Sequence, residues 1–193
     1  MKTRALCTLA LFVVPALHAA PPDARMDATP GPKATDVSTR MPIAQRGIAS
    51  RVDVGQTPPG FELTSAKEER VKLSGFRGER VLLCFADRRE MISEYRAAAD
   101  TLRAMGIRMI GIARDSPRSL RSLALRDSLD FELLSDPTGE VAAVYGSYDY
   151  PASSIRPGYV LVGRTNTVRM VVLGQRLPAQ DLVQITRYAL AGL

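Results

Sequence analysis

Histidine occurs once in this 193-residue chain, at His18, and cysteine only twice, at Cys7 and Cys84. Both His18 and Cys7 fall within a leader-like start. Lys2 and Arg4 precede an apolar run over residues 5–17 that is interrupted only by Thr8 and Pro15, and the small residues Ala19 and Ala20 follow. That order is the plan of a secretory signal peptide, residues 1–19, with cleavage expected after Ala19. The other reading is a retained membrane anchor, which the run disfavours by falling short of the ~20 residues a span needs. A cleaved leader leaves a mature chain without histidine. That excludes imidazole general bases, Ser-His-Asp and Cys-His arrangements, and zinc sites built on imidazole, so no metal is expected. A single remaining cysteine also excludes an internal disulfide, so a protein exported to the periplasm must be held together by its core alone.

A basic run is missing as well. Loss of Lys2 and Arg4 takes the net charge from +6 to +4, and the arginines are dispersed along the chain. This is the pattern of a solvated surface, and no nucleic-acid partner is expected. Residues 20–51 lack periodic apolar positions and are rich in Pro, Ala, Thr, Asp and Arg, so they read as a flexible linker. The remaining stretch, residues 52–193, has the usual size of one domain with one core.

Within that domain, apolar patterning alternates between strand and helix. Residues 61–63 and 70–73 read as short strands, 81–86 and 107–113 as interior strands apolar on both faces, and 131–134 as another short strand. A helix is expected over 89–105, with Met91, Tyr95, Ala98, Leu102 and Met105 on one face and Gly106 ending it. Asp115-Ser116-Pro117 opens a helix that runs to about Arg126. Asp136-Pro137 opens one through Tyr145, and Pro178 opens the last, with Leu182, Ile185, Ala189 and Leu193 in its apolar stripe. Residues 159–162 and 168–173 form a hairpin around Gly163 and Asn166. The expected architecture is an α/β sandwich of three layers around a mixed central sheet.

The segments Val54-Gly55-Gln56-Thr57-Pro58-Pro59-Gly60-Phe61-Glu62-Leu63, Val71-Lys72-Leu73-Ser74-Gly75-Phe76-Arg77-Gly78 and Leu133-Leu134-Ser135-Asp136-Pro137, with Ala143-Val144-Tyr145-Gly146, carry a resemblance in their order and spacing. Together they are similar to peroxiredoxins of the alkyl hydroperoxide reductase/thiol-specific antioxidant group, bacterioferritin comigratory protein type. The resemblance implies a thioredoxin-like fold and a thiol peroxidase. It also implies a proline, a threonine and a peroxidatic cysteine at the start of the first long helix, where the helix terminus and an arginine would stabilise the thiolate. Here Phe85-Ala86 runs into Asp87-Arg88-Arg89-Glu90-Met91, with none of those three residues, in a connection about six residues shorter than the family's. The family's arginine matches Arg156. The resemblance does not fix whether Pro157 is cis, and homodimers are common among such surfaces.

Two functional readings follow. In the first, the protein is an exported, catalytically degenerate peroxiredoxin-like protein. It binds a protein or small-molecule partner of the cell envelope through Arg88, Arg156 and the loop of residues 148–154 that carries Tyr148 and Tyr150, with no cofactor. In the second, Cys84 is the nucleophile of a one-cysteine peroxidase, with Arg156 beside it. Against the second, Cys84 lies inside an apolar strand, where a cysteine is a small hydrophobe with a raised thiol pKa. Glu90 and Glu94 lie one turn apart on a helix that begins after two arginines, and are expected to be a solvated helix end with local charge pairs. A role in envelope redox or cytochrome assembly is a third reading, against which the missing Cys-x-x-Cys speaks.

Overall fold

The computed structural model describes residues 52–87 and 89–191. The expected leader and linker, together with Arg88 and Leu193, lie outside the described residues. The elements in chain order are β1 (Glu62–Ser65), β2 (Arg70–Lys72), a 3-10 turn (Leu73–Phe76), β3 (Arg80–Phe85), α1 (Arg89–Glu94), α2 (Arg96–Ala104), β4 (Ile107–Ala113), α3 (Pro117–Arg126) and β5 (Glu132–Ser135). They continue with α4 (Glu140–Val144), β6 (Tyr148–Asp149), β7 (Ser154–Ile155), β8 (Gly158–Val162), β9 (Val168–Leu173) and α5 (Ala179–Ala191).

Seven strands form one mixed sheet in the order β2-β1-β5-β4-β3-β8-β9. β4 pairs in parallel with both β3 and β5, whereas β8 lies antiparallel against β3 and β1 antiparallel against β5. β3 is therefore the hub. Its residues alternate between two apolar layers: Leu82, Cys84 and Ala86 face α1, α2, α3 and α5, while Val81, Leu83 and Phe85 face the 3-10 turn and α4. Burying the Val81, Leu82, Leu83 and Phe85 side chains contributes roughly 1.5–3 kcal/mol each. That two-sided demand explains why β3 and β4 have no polar face.

The helices show where local signals act and where tertiary contacts override them. Ser116 caps α3 by accepting the Ser119 amide proton at 3.3 Å, with Pro117 in the first turn. The last turn of the α2 region closes on Gly106 at φ +71°, a backbone conformation that costs a glycine little. The expected single helix over 89–105 is broken at Tyr95. The Tyr95 amide donates to the Ile92 carbonyl at 3.2 Å, a tight three-residue turn, and its side chain is drawn into the core. α4 begins at Glu140 rather than at Asp136. Asp136 instead sits buried before it, accepting the Ala142 amide at 2.9 Å. The expected hairpin turn is present: the Gly163 amide donates to the Thr167 carbonyl at 2.8 Å, and Asn166 takes φ +56°.

The chain enters this core early. Val52 is buried in the layer that faces α4, and residues 55–56 add two hydrogen bonds to the outer edge of β9. These run from the Gly55 amide to the Val168 carbonyl and from the Val168 amide to the Gln56 carbonyl, both 2.8 Å.

Candidate functional site

The carboxyl ends of β3, β4 and β5 and the amino end of the antiparallel β8 lie along one edge of the sheet, because β8 runs against β3. Ligand sites of α/β sheets gather along such an edge. The sequence places Asp87, Arg89, Arg114, Asp115, Asp136 and Arg156 along it. Arg89 donates from Nη2 to Asp115 Oδ1 at 2.7 Å and from Nε at 3.2 Å, tying the start of α1 to the turn after β4. Arg156 donates from Nε and Nη2 to Asp149 Oδ2 at 3.0 and 2.8 Å. That guanidinium, helped by the Ala152 amide, holds the Asp149 carboxyl below the usual carboxylate range. Arg114 reaches the Pro137 carbonyl at 3.4 Å and the Ser153 carbonyl, and so fastens the β6–β7 hairpin to the sheet.

The loop expected at 148–154 is thus a two-stranded hairpin, with Tyr148 opposite Ile155 and Asp149 opposite Ser154. Tyr148 and Tyr150 meet edge to face at 5.1 Å between ring centres and are half-buried. Tyr148 lies against Gly139, where a Cβ would come within 2.3 Å of the ring. Tyr145 and Tyr159, the tyrosines on either side of this segment in the sequence, do not join the pair. Tyr145 is buried on the α4 side, with its hydroxyl donating to the Pro59 carbonyl at 2.6 Å, and Tyr159 is buried on the opposite face of the sheet. Arg156, Tyr148 and Tyr150 are brought together by the hairpin. The Pro157 peptide is trans, as are all those described. Arg88 lies outside the described residues.

Cys84 is elsewhere. It is 1% exposed, on the face of β3 covered by α1, α2 and α5, and its strand neighbours are Gly111 on β4 and Tyr159 on β8. Burial pushes its thiol far above the ordinary cysteine range, and no cation contributes to that shift. The two hydroxyls of this layer, on Tyr95 and Tyr159, share a 2.7 Å hydrogen bond, and Tyr159 also accepts the Leu177 amide at 3.0 Å. Sequence reasoning placed Tyr95 on the buried face of its helix but missed this pairing, which no spacing rule signals. It also missed Asp149 as the partner of Arg156. That pair is legible only once residues 148–155 are recognised as a hairpin.

Over this thiol, α1 is tethered at three points. Besides the Arg89–Asp115 pair, Ser93 donates to Asp127 and Arg176 pairs with Glu94, which is exposed, the solvated, charge-paired helix end that was expected. Arg126 and Ser93 together hold the Asp127 carboxyl well below the usual range.

The family model described as AhpC/TSA family matches residues 54–171. Peroxiredoxin Bcp of Escherichia coli (strain K12) is 32% identical over 98 residues, covering 48% of this chain and 63% of that protein. Peroxiredoxin Q, chloroplastic, of Sedum lineare is 30% identical over 115 residues, covering 56% of this chain and 62% of that one. The chain therefore spans just under two thirds of the length of these curated relatives. Among solved structures, the crystal structure of peroxidoxin BcpB from Mycobacterium tuberculosis superposes with a TM-score of 0.65 at 20% identity, over 74% of this chain and 98% of that one. Enterococcus faecalis AhpC superposes with a TM-score of 0.63 at 14% identity, over 72% and 94%. At that level of identity the two solved structures establish the thioredoxin-like peroxiredoxin fold, and the family match over residues 54–171 places this chain in the AhpC/TSA family.

Proposed function

We propose that this member of the family has left thiol-peroxidase chemistry and acts as an exported binding protein of the cell envelope. It would engage a protein or small-molecule partner through the sheet edge formed by Arg114, Arg156 and the Tyr148–Tyr150 hairpin. The observation that carries this reading is the position of Cys84, the single cysteine of residues 52–193, 1% exposed beneath α1. Peroxide reduction needs a thiolate to attack one peroxide oxygen, forming an S–O bond as the O–O bond breaks and the second oxygen leaves as water or alcohol. A protonated thiol sealed from solvent supplies neither the charge nor the approach. The connection after β3, from Ala86 to Arg89, holds no cysteine that could replace it. Arg156, which would polarise the peroxide, is bonded to Asp149 instead. Export is supported by the leader-like order of residues 1–19.

The test is hydrogen peroxide and cumene hydroperoxide consumption by the mature protein with dithiothreitol as reductant, with Cys84→Ala as the control. The two proteins are expected to consume peroxide at the same background rate. Native Cys84 is expected to resist a small maleimide that labels it fully in denaturant. Turnover lost in Cys84→Ala would overturn the proposal in favour of a one-cysteine peroxidase.

A further inference from the structure

At the end of β3 opposite the hairpin edge, three arginines meet without an acid among them. Arg80 opens β3, Arg164 lies in the turn between β8 and β9, and Arg169 is near the start of β9. The Gly78 amide donates to the Arg164 carbonyl at 3.3 Å and so ties that turn to the chain entering β3. With Gly163, Thr165 and Leu190, the three arginines line a cavity of about 100 Å³. Among the described residues the lining holds no aspartate, glutamate or histidine.

None of the three guanidiniums has a hydrogen-bond or ion-pair partner among the described residues. Glu79, the acid next to Arg80 in the chain, is held by Arg108 at 2.6 Å. Exposed arginines such as Arg118 and Arg121 are served by water, but here only Arg164 is exposed, while Arg80 and Arg169 are half-buried. Arg169 Nε is fully enclosed and donates to nothing, which is costly for a charged group. Gly163 makes the room for it, since a Cβ there would come within 3.2 Å of that nitrogen.

These features select the charge and the shape of an occupant. Three positive charges around so small a space repel one another, and a doubly charged anion offsets more of that repulsion than a singly charged one. Guanidinium forks present paired N–H donors that match the oxygens of a phosphate. The cavity is well below the ~300–1,000 Å³ of sites that enclose a whole small molecule, so it takes a group and leaves the remainder outside. We infer that this cavity binds the doubly charged head of a phosphate monoester, with Arg80, Arg164 and Arg169 as its counter-charges and the Thr165 hydroxyl as a further donor. The site is independent of the hairpin edge.

The test is an amide chemical-shift titration of the mature protein with ethyl phosphate, beside co-sedimentation with phosphatidylcholine vesicles with and without phosphatidate, which displays the same monoester on a surface. Ethyl phosphate is expected to give saturable shifts centred on residues 80 and 163–169. Diethyl phosphate and acetate, each singly charged, should bind roughly tenfold more weakly. A monoester loses its second charge near about pH 6, so affinity should fall roughly tenfold from about pH 7 to about pH 5, a range in which no lining residue titrates. Arg80→Gln and Arg169→Gln should each weaken binding roughly tenfold, and Arg118→Gln, which removes the same charge from an exposed position on α3, should not. The same spectra show that each variant remains folded. Saturation by ethyl phosphate without vesicle binding identifies a soluble monoester, and phosphatidate-dependent sedimentation that Arg80→Gln abolishes identifies a lipid one. Binding of neither probe, equal binding of diethyl phosphate, affinity unchanged by acid, an equal loss in Arg118→Gln, or shifts centred on Arg114 and Arg156 would each overturn the inference.

Discussion

Replacing Tyr159 with phenylalanine removes one oxygen from the core and leaves two groups without partners. In the native protein that oxygen accepts the Leu177 amide proton and shares a hydrogen bond with the Tyr95 hydroxyl, inside a layer where both rings are at most 1% exposed. Phenylalanine fills the same volume, so no cavity contributes. The cost is that of orphaning a buried hydroxyl and an amide, about 1–3 kcal/mol for each group. Removing Tyr95's hydroxyl instead leaves the Tyr159 oxygen still bonded to Leu177, so Tyr95→Phe should cost about 1 kcal/mol. In the double variant only the Leu177 amide lacks its partner, so the two effects should be less than additive. Urea unfolding followed by far-UV circular dichroism measures all three as shifts of midpoint at constant slope. The expected order of destabilisation is Tyr159→Phe above Tyr95→Phe, with the double variant no worse than Tyr159→Phe. Tyr95→Phe costing as much as Tyr159→Phe would refute the claim that Tyr159 is the junction of this network.

Two further predictions concern acid and packing. Asp127 and Asp149 have carboxyl pKa values held below normal by Arg126 with Ser93 and by Arg156, respectively. Their stabilisation is complete above the unfolded carboxylate value near about 4 and is lost as pH falls through the lower folded values. Burial raises the Asp136 pKa, so its contribution has the opposite sign, complete below about 4 and lost as pH rises towards the folded value. Urea midpoints from pH 2 to 6 should fall towards acid, less steeply in Arg156→Ala and more steeply in Asp136→Asn. A second packing test is Gly158→Ala, whose new methyl would come within 2.0 Å of the Ser147 hydroxyl, itself buried without a partner. It should cost about 1–3 kcal/mol. Adding Ser147→Ala should recover part of that loss, read from thermal midpoints, and Ser147→Ala alone should not destabilise.

Legibility from sequence divided along physical lines. β4 and α3 were found at their observed bounds, because a strand apolar on both faces and a Ser-Pro helix start are local signals. The break at Tyr95 was invisible because the apolar spacing continues across it. There the backbone makes a three-residue turn onto the Ile92 carbonyl, and the Tyr95 hydroxyl pairs with that of Tyr159, 64 residues away. At α4, Asp136 does serve the helix start, its buried carboxylate accepting the first-turn amide of Ala142, but it does so from four residues upstream, across a turn that sequence type alone does not reveal. At the site, the position of Arg156 could be read from the motif before β8, whereas its bond to Asp149 depends on the short β6–β7 hairpin, too brief for any periodicity to mark. Cys84 was legible as a buried strand residue because its neighbours in sequence are uniformly apolar.

The way the chain enters the domain also bears on how molecules avoid sticking to one another. β9 closes one side of the sheet, and an unguarded outermost strand is a template for stacking of like chains. Residues 55 and 56 cover its first rung from the same polypeptide, with the buried Val52 as their anchor. Starting the chain beyond these residues would uncover that rung as well as weaken the core, so the domain's solubility is written partly in the few residues that lead into it.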